Sequence, residues 1–135
     1  MKNKNQYSIE DLLDVMSELR NKCPWDQKQT FDTLKKLTIE ETYELVDAID
    51  KKKYDDIKNE LGDLLLHIIF YSKIASENKK FNFNDVLNSL IEKLIYRHPH
   101  IYGDIKVSSI DEVKKNWERL KVKDKNKGIL SGVPN

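Results

Sequence analysis

Two short stretches of this chain concentrate acid at helical spacing: EETYE at 40–44 and NELGD at 59–63. Glu41 and Glu44 stand three residues apart, as do Glu60 and Asp63, and residues at that spacing share one face of a helix. The apolar residues around them define which face. Leu34, Leu37 and Ala48 continue the 41/44 stripe, while His67, Phe70 and Ile74 continue the 60/63 stripe. Each helix is therefore predicted to replace one layer of its packing seam with a pair of carboxylates. One E-x-x-E in a chain rich in Lys and Glu ordinarily marks a solvated face. Two such pairs on seam positions fit that reading poorly.

The distance between the pairs adds to this. The midpoint of 41 and 44 is 42.5, that of 60 and 63 is 61.5, and their mean is residue 52, inside the lysine run DKKKYDD. A hairpin folded there sets the two acidic pairs level. Four carboxylates converging in a partly dry groove repel one another and cost several kcal/mol each to desolvate unless compensated. They can take up protons at raised pKa or hold a divalent cation. All-oxygen ligands select a hard ion, Mg²⁺ or its substitute Mn²⁺, and such an ion grips phosphate oxygens and activates water. Glu40 flanks the seam and is open to two readings, a base beside the ion or an exposed side chain.

The elements that must position these acids are legible from pattern. At 135 residues the chain is one domain by size. With Gly 4 and Pro 3 there are few helix breakers, and the class expected is all-α. A first helix starts at Ser8/Asp11 and stops before Pro24, leaving NKCPWDQKQT as a loop. A second runs from Phe31 or Asp32 to about Ile49, and a third from roughly 54 to 78. The third is apolar on nearly every face between Leu64 and Tyr71, so it must be covered on all sides; a bundle completed by a partner subunit is expected. A fourth helix starts near Asn82/Asp85, turns Val86, Leu87, Leu90, Ile91, Leu94 and Ile95 inward, and ends near His98-Pro99. Ser109 and Glu112 predict a capping box for a last helix over 109–122. Residues 123–135 read as a linker-like tail after a 1–122 domain.

Composition limits the partners. Lys+Arg 24 against Asp+Glu 23 leaves a net charge of +1, so no general electrostatic pull toward nucleic acid or an anionic membrane is expected. No signal peptide or spanning segment is legible, and the single Cys23 fits a reducing compartment; cytoplasm is the expected location. His67 beside carboxylates raises a di-iron alternative, but that chemistry wants Glu-x-x-His, and here the spacing is Asp63-x-x-x-His67. Trp25 follows Pro24 in a loop and serves either as a stacking surface for a base or as packing against the bundle. Asp26 and Gln29 either cap the second helix or touch a ligand.

EETYE followed by ELGD resembles the E-E-x-x-E…E-x-x-D signature of MazG-type nucleotide pyrophosphohydrolases. So do LRNKCPWDQKQTF (19–31), DDIKNELGDLLLHIIFYSKIA, FNFNDV (81–86), EKLIYRHPHIYGD (92–104), NWERLK (116–121) and the SGVPN linker. The resemblance covers Glu10 to the end. It implies an all-α, Mg²⁺-dependent enzyme that cleaves nucleoside triphosphates between the α- and β-phosphates, giving monophosphate and pyrophosphate. It also implies a four-helix core built by a homodimer or dimer of dimers. The family's metal ligands fall on Glu41, Glu44, Glu60 and Asp63, and its phosphate-holding Lys and Arg fall on Lys93 and Arg97. Glu40 or Glu44 is then the general base. Trp117 and Lys121 are further candidates from the last helix. Because members often carry two such modules in tandem, a nucleotide-binding or dimerisation module with weak or no catalysis is the alternative function.

Overall fold

The computed structural model describes residues 6–127, and every regular element among them is an α-helix. The chain divides into two compact units between Phe83 and Asn84. The first holds α1 (Ile9–Lys22), α2 (Pro24–Lys28), α3 (Phe31–Asp50) and α4 (Tyr54–Glu77).

Ser8 opens α1 with a reciprocal capping box. Its Oγ accepts from the Asp11 N–H at 3.3 Å, and its own N–H donates to Asp11 Oδ2 at 2.9 Å. Replacing Ser8 by Ala is expected to cost about 1 kcal/mol, measurable as a lower urea midpoint at unchanged m-value. The segment expected to be a plain loop contains one turn of helix, α2. Pro24 stands at its first position, where a missing N–H and a preset φ are no handicap, and Asp26 complements the positive helix start.

Thr30 caps α3 by accepting from the Thr33 N–H at 3.2 Å. At the other end the chain reverses over Lys51–Lys53. Lys52 takes φ 55°, and the Lys53 N–H donates to the Ala48 carbonyl at 3.1 Å, the bond that closes a helix end in a left-handed turn. α3 and α4 then pack along their length as the main helix pair of the unit, with α1 against α2 and α4. Met16, Leu34, Ile69, Phe70 and Ile74 form the buried core, with Leu12, Leu13, Leu37, Leu66, Tyr71 and Phe83 against it. The predicted seam is the observed one: Leu34 and Ala48 on α3, and His67, Phe70 and Ile74 on α4, are all buried.

The second unit carries most of α5 (Phe83–Arg97), then α6 (Pro99–Tyr102) and α7 (Ile110–Lys127). His98 ends α5 as expected, its Nδ1 2.6 Å from the Leu94 carbonyl. The Glu112 N–H donates to Ser109 Oγ at 3.2 Å, but its carboxylate accepts from the N–H of Ser108 rather than of Ser109. α7 runs beyond residue 122, to Lys127; the SGVPN stretch lies outside the described residues.

One expectation is corrected within the single chain. Leu87, Leu90, Ile91, Leu94 and Ile95 were predicted to point inward, yet each is between 39 and 51% exposed. Their helical stripe is real, and it is exposed. Leu61, Leu65 and Ile68 on α4 are left in the same state.

Candidate active site

The hairpin brings the acids together from both helices. One carboxylate oxygen each from Glu41, Glu60 and Asp63 lies within 4.8 Å of the other two. Glu41 and Glu60 are half-buried, and Asp63 is exposed. The Oε2 atoms of Glu41 and Glu60 are buried and have no hydrogen-bond partner. Carboxylates converge there, and only a shared proton or a cation turns that crowding from repulsive to attractive.

The titration of the group shows the same crowding. Proton sharing with Glu60, burial, and the charges of Asp63, Glu44 and Glu60 push the Glu41 carboxyl up to about 8. Glu44 is raised as well, first through a hydrogen bond with Glu60 and then through its charge. Glu44 is exposed and stands outside the tight set of three, joined to it through Glu60. Glu40 is exposed too. Beside Glu44 and Glu60 a cavity of about 370 Å³ extends along the hairpin end, lined also by Tyr43, Asp47, Lys51 and Lys53.

One helical turn further along the same seam is a polar network that pattern reading missed. Thr38 Oγ1 lies 3.1 Å from the Leu34 carbonyl, 2.8 Å from His67 Nδ1 and 2.5 Å from the Tyr71 hydroxyl. A threonine hydroxyl has one proton and two lone pairs. All three contacts are hydrogen bonds only if Thr38 donates to the carbonyl while His67 Nδ1–H and the Tyr71 O–H donate to Thr38. The neutral Nδ1–H tautomer of His67 meets this requirement, and burial lowers its pKa against the opposing pull of Asp63. Phe31, at the start of α3, stacks on Tyr71 with ring centroids 5.4 Å apart. Extending the seam one turn beyond the acids on α3 and two turns on α4 reaches Thr38 and Tyr71; their hydroxyls are the signal that an apolar-only pattern discards.

Trp25, on α2, is 55% exposed and is not among the residues of the buried core. Gln29 donates to the Trp25 carbonyl at 2.8 Å, and its side-chain oxygen accepts from Thr33, so it braces the turn into α3. In the second unit, Lys93 and Arg97 share a face of α5 and are both half-buried. The Arg97 guanidinium lies 5.8 Å, and Lys121 Nζ 5.0 Å, from the centre of the Trp117 ring. Trp117 Nε1 and His100 Nδ1 are buried without a hydrogen-bond partner.

Residues 29–102 match the MazG nucleotide pyrophosphohydrolase domain model, and that stretch contains the whole acidic cluster. The chain belongs to the MazG family. A nucleoside triphosphate pyrophosphohydrolase of Escherichia coli K12 is 43% identical over 120 residues, covering 87% of this chain and 46% of that protein. The nucleoside triphosphate pyrophosphohydrolase/pyrophosphatase MazG of Thermotoga maritima is 47% identical over 127 residues, 93% of this chain and 48% of that one. This MazG chain thus spans about half the length of the curated relatives it matches. The crystal structure of a mazG-related protein from Thermotoga maritima superposes with a TM-score of 0.71 at 26% identity, over 84% of this chain and 98% of the other. Among the described residues of this family member, no helix is long and apolar enough to cross a membrane.

Proposed function

We propose that this chain hydrolyses nucleoside and deoxynucleoside triphosphates to the monophosphate and pyrophosphate in an Mg²⁺-dependent reaction. The observation that carries the reading is the convergence of one carboxylate oxygen each from Glu41, Glu60 and Asp63 within 4.8 Å of one another, with the Oε2 atoms of Glu41 and Glu60 buried and unpartnered. That donor set fits a hard divalent cation, because it is all carboxylate and lacks any internal compensating charge. Glu41, Glu60 and Asp63 would hold the ion, with Glu44, coupled to Glu60, completing the set. When bound, the ion supplies neutralisation of phosphate charge and an acidified water.

The chain's own groups do the rest. Glu40 or Glu44 takes the proton from water as its oxygen attacks the α-phosphorus in line. The α–β bridging oxygen then leaves with pyrophosphate. Lys93 and Arg97 are proposed to grip phosphate oxygens, on the family pattern and their shared face of α5. The ring of Trp25 offers a stacking surface for the base.

Pyrophosphate release from the four ribonucleoside triphosphates, their deoxy forms and dUTP, with Mg²⁺ and with chelator, tests the proposal. Release that requires Mg²⁺ is expected; no release in any mixture refutes it. The partial span of the relatives favours one second reading, a nucleotide-binding or dimerisation module joined by a C-terminal linker to a second module. Tight nucleotide binding without release would select it.

A homodimer or dimer of dimers is proposed to cover Leu61, Leu65 and Ile68 together with the α5 stripe, exposed in one copy. A monomeric mass in sedimentation equilibrium at micromolar concentration would overturn that. Nucleotide-pool housekeeping in the cytoplasm, without nucleic-acid or membrane partners, is the setting that the near-neutral charge and the chemistry suggest.

A further inference from the structure

Arg20, at the end of α1, is tied to more of the molecule than any helix terminus requires. Its Nη1 donates to the carbonyls of Asp26 at 2.6 Å, Gln27 at 3.3 Å and Gln29 at 3.1 Å. Its Nε and Nη2 hold the Glu77 carboxylate at 2.9 and 2.6 Å. The guanidinium stands 5.8 Å from the centre of the buried Phe70 ring. Its side chain is only 12% exposed, and Glu77 keeps it charged while its own carboxyl is held below the usual range.

The carbonyls it collects belong to the last turn of α2 and the residue beyond it, where a helix runs out of intrahelical donors; the Asp26 carbonyl also accepts the Gln29 N–H at 3.3 Å. Arg20 therefore fastens α2 to the far end of α4. On the outside of that fastened turn stands Trp25, a large aromatic ring more than half exposed. The turn leads directly into Phe31, which stacks on Tyr71. Tyr71 lies eight residues along α4 from Asp63, about 12 Å at 1.5 Å per residue. The α2 turn and the acids are thus linked through the Phe31–Tyr71 stack and α4.

We propose that Arg20 is a positioning residue for nucleobase binding: it locks α2 so that Trp25 stands as a preformed stacking surface for the base. The proposal rests on the triphosphate reading above. A surface fixed before binding spares the substrate the cost of ordering it, so the effect falls on substrate affinity and not on the chemical step. Lysine cannot replace the function, because one ammonium does not match a fork that serves three carbonyls and a carboxylate together.

The test is a double-mutant cycle on the full chain, reading kcat and KM for pyrophosphate release and, separately, calorimetric binding of an α,β-methylene nucleoside triphosphate with Mg²⁺. Trp25→Ala is expected to weaken binding and raise KM about tenfold, within the usual worth of base–aromatic stacking, with kcat unchanged. Arg20→Ala and Arg20→Lys should move KM in the same direction, and Arg20→Ala should add little to Trp25→Ala. Glu77→Gln, which leaves Arg20 and the carbonyl bonds in place, should give a smaller rise and carries the test if Arg20→Ala does not fold. Additive effects of Arg20→Ala and Trp25→Ala, or a fall in kcat at constant KM, would overturn the proposal. So would Trp25→Ala binding as wild type does, even with pyrophosphate release intact. A wild-type chain that binds the analogue without hydrolysing substrate refutes the activity instead, and the binding cycle then decides on Arg20 by itself.

Discussion

Glu41→Gln is expected to lower pyrophosphate release by about 10²-fold or more, since changes merely behind a metal ligand already cost 10–100-fold. Glu41 is the acid at the centre of the cluster, sharing a proton with Glu60 and feeling the charges of Asp63, Glu44 and Glu60. The same substitution is expected to leave the metal-free fold as stable or more stable. A neutral amide keeps a donor toward Glu60, as the protonated Glu41 carboxyl does, and cannot ionise. Asp63→Asn, at an exposed position, should likewise abolish activity with little change in melting temperature. Kinetics and metal-free thermal melts on the same preparations check both. Loss of fold together with activity would make Glu41 a structural acid and remove it from the site.

The second large effect is on stability against pH. The Glu41 carboxyl moves from an ordinary 4.5 to about 8 in the native state. Between those values the folded chain holds a proton that the unfolded chain has lost, so stability falls as pH rises through that window. His67 acts the other way: its pKa is lowered by burial, so its contribution grows as pH rises toward the ordinary 6.5. Above pH 7 the histidine contribution is complete, and the carboxyl is the group still titrating. Metal-free protein is therefore expected to melt progressively lower between pH 7 and pH 9, and Glu41→Gln to flatten that slope. A divalent cation replaces the proton, so Mg²⁺ should raise the melting temperature most at the alkaline end. At about one hundred times its dissociation constant a native-state ligand adds roughly 2.7 kcal/mol. A melting temperature that is flat from pH 7 to 9 without metal, or indifferent to Mg²⁺ at pH 9, would mean that the carboxylates do not crowd as described.

Much of this site was readable along the chain because helical periodicity is a local property. Residues three and four apart share a face whatever surrounds them, so Glu41, Glu44, Glu60 and Asp63 could be placed on two seams. Their symmetry about residue 52 made them level once the lysine turn closed, and Lys52 in a left-handed conformation is that turn. The capping residues Ser8 and Thr30 act within one turn of themselves and mark the helix starts for the same reason. The α2 helix was not legible because five residues are too few for a period to show, and Pro24 reads equally as a loop or as a first helical position.

What the amino-acid sequence by itself determined was the all-α class, the helix pair and the four acids on its inner stripe, with the family they resemble. Only the tertiary structure decided how those acids divide: Glu41 and Glu60 partly buried, Asp63 at the opening, Glu44 beyond the tight set. Depth in a groove depends on the side chains of every element packed against it, and no spacing rule contains that. The Thr38–His67–Tyr71 network and the Arg20–Glu77 clamp belong to the same class. Their partners are 29, 33 and 57 residues apart. They meet only because α1, α3 and α4 bury one shared core, and a hydrogen bond exists at 3 Å and vanishes a few ångströms farther out.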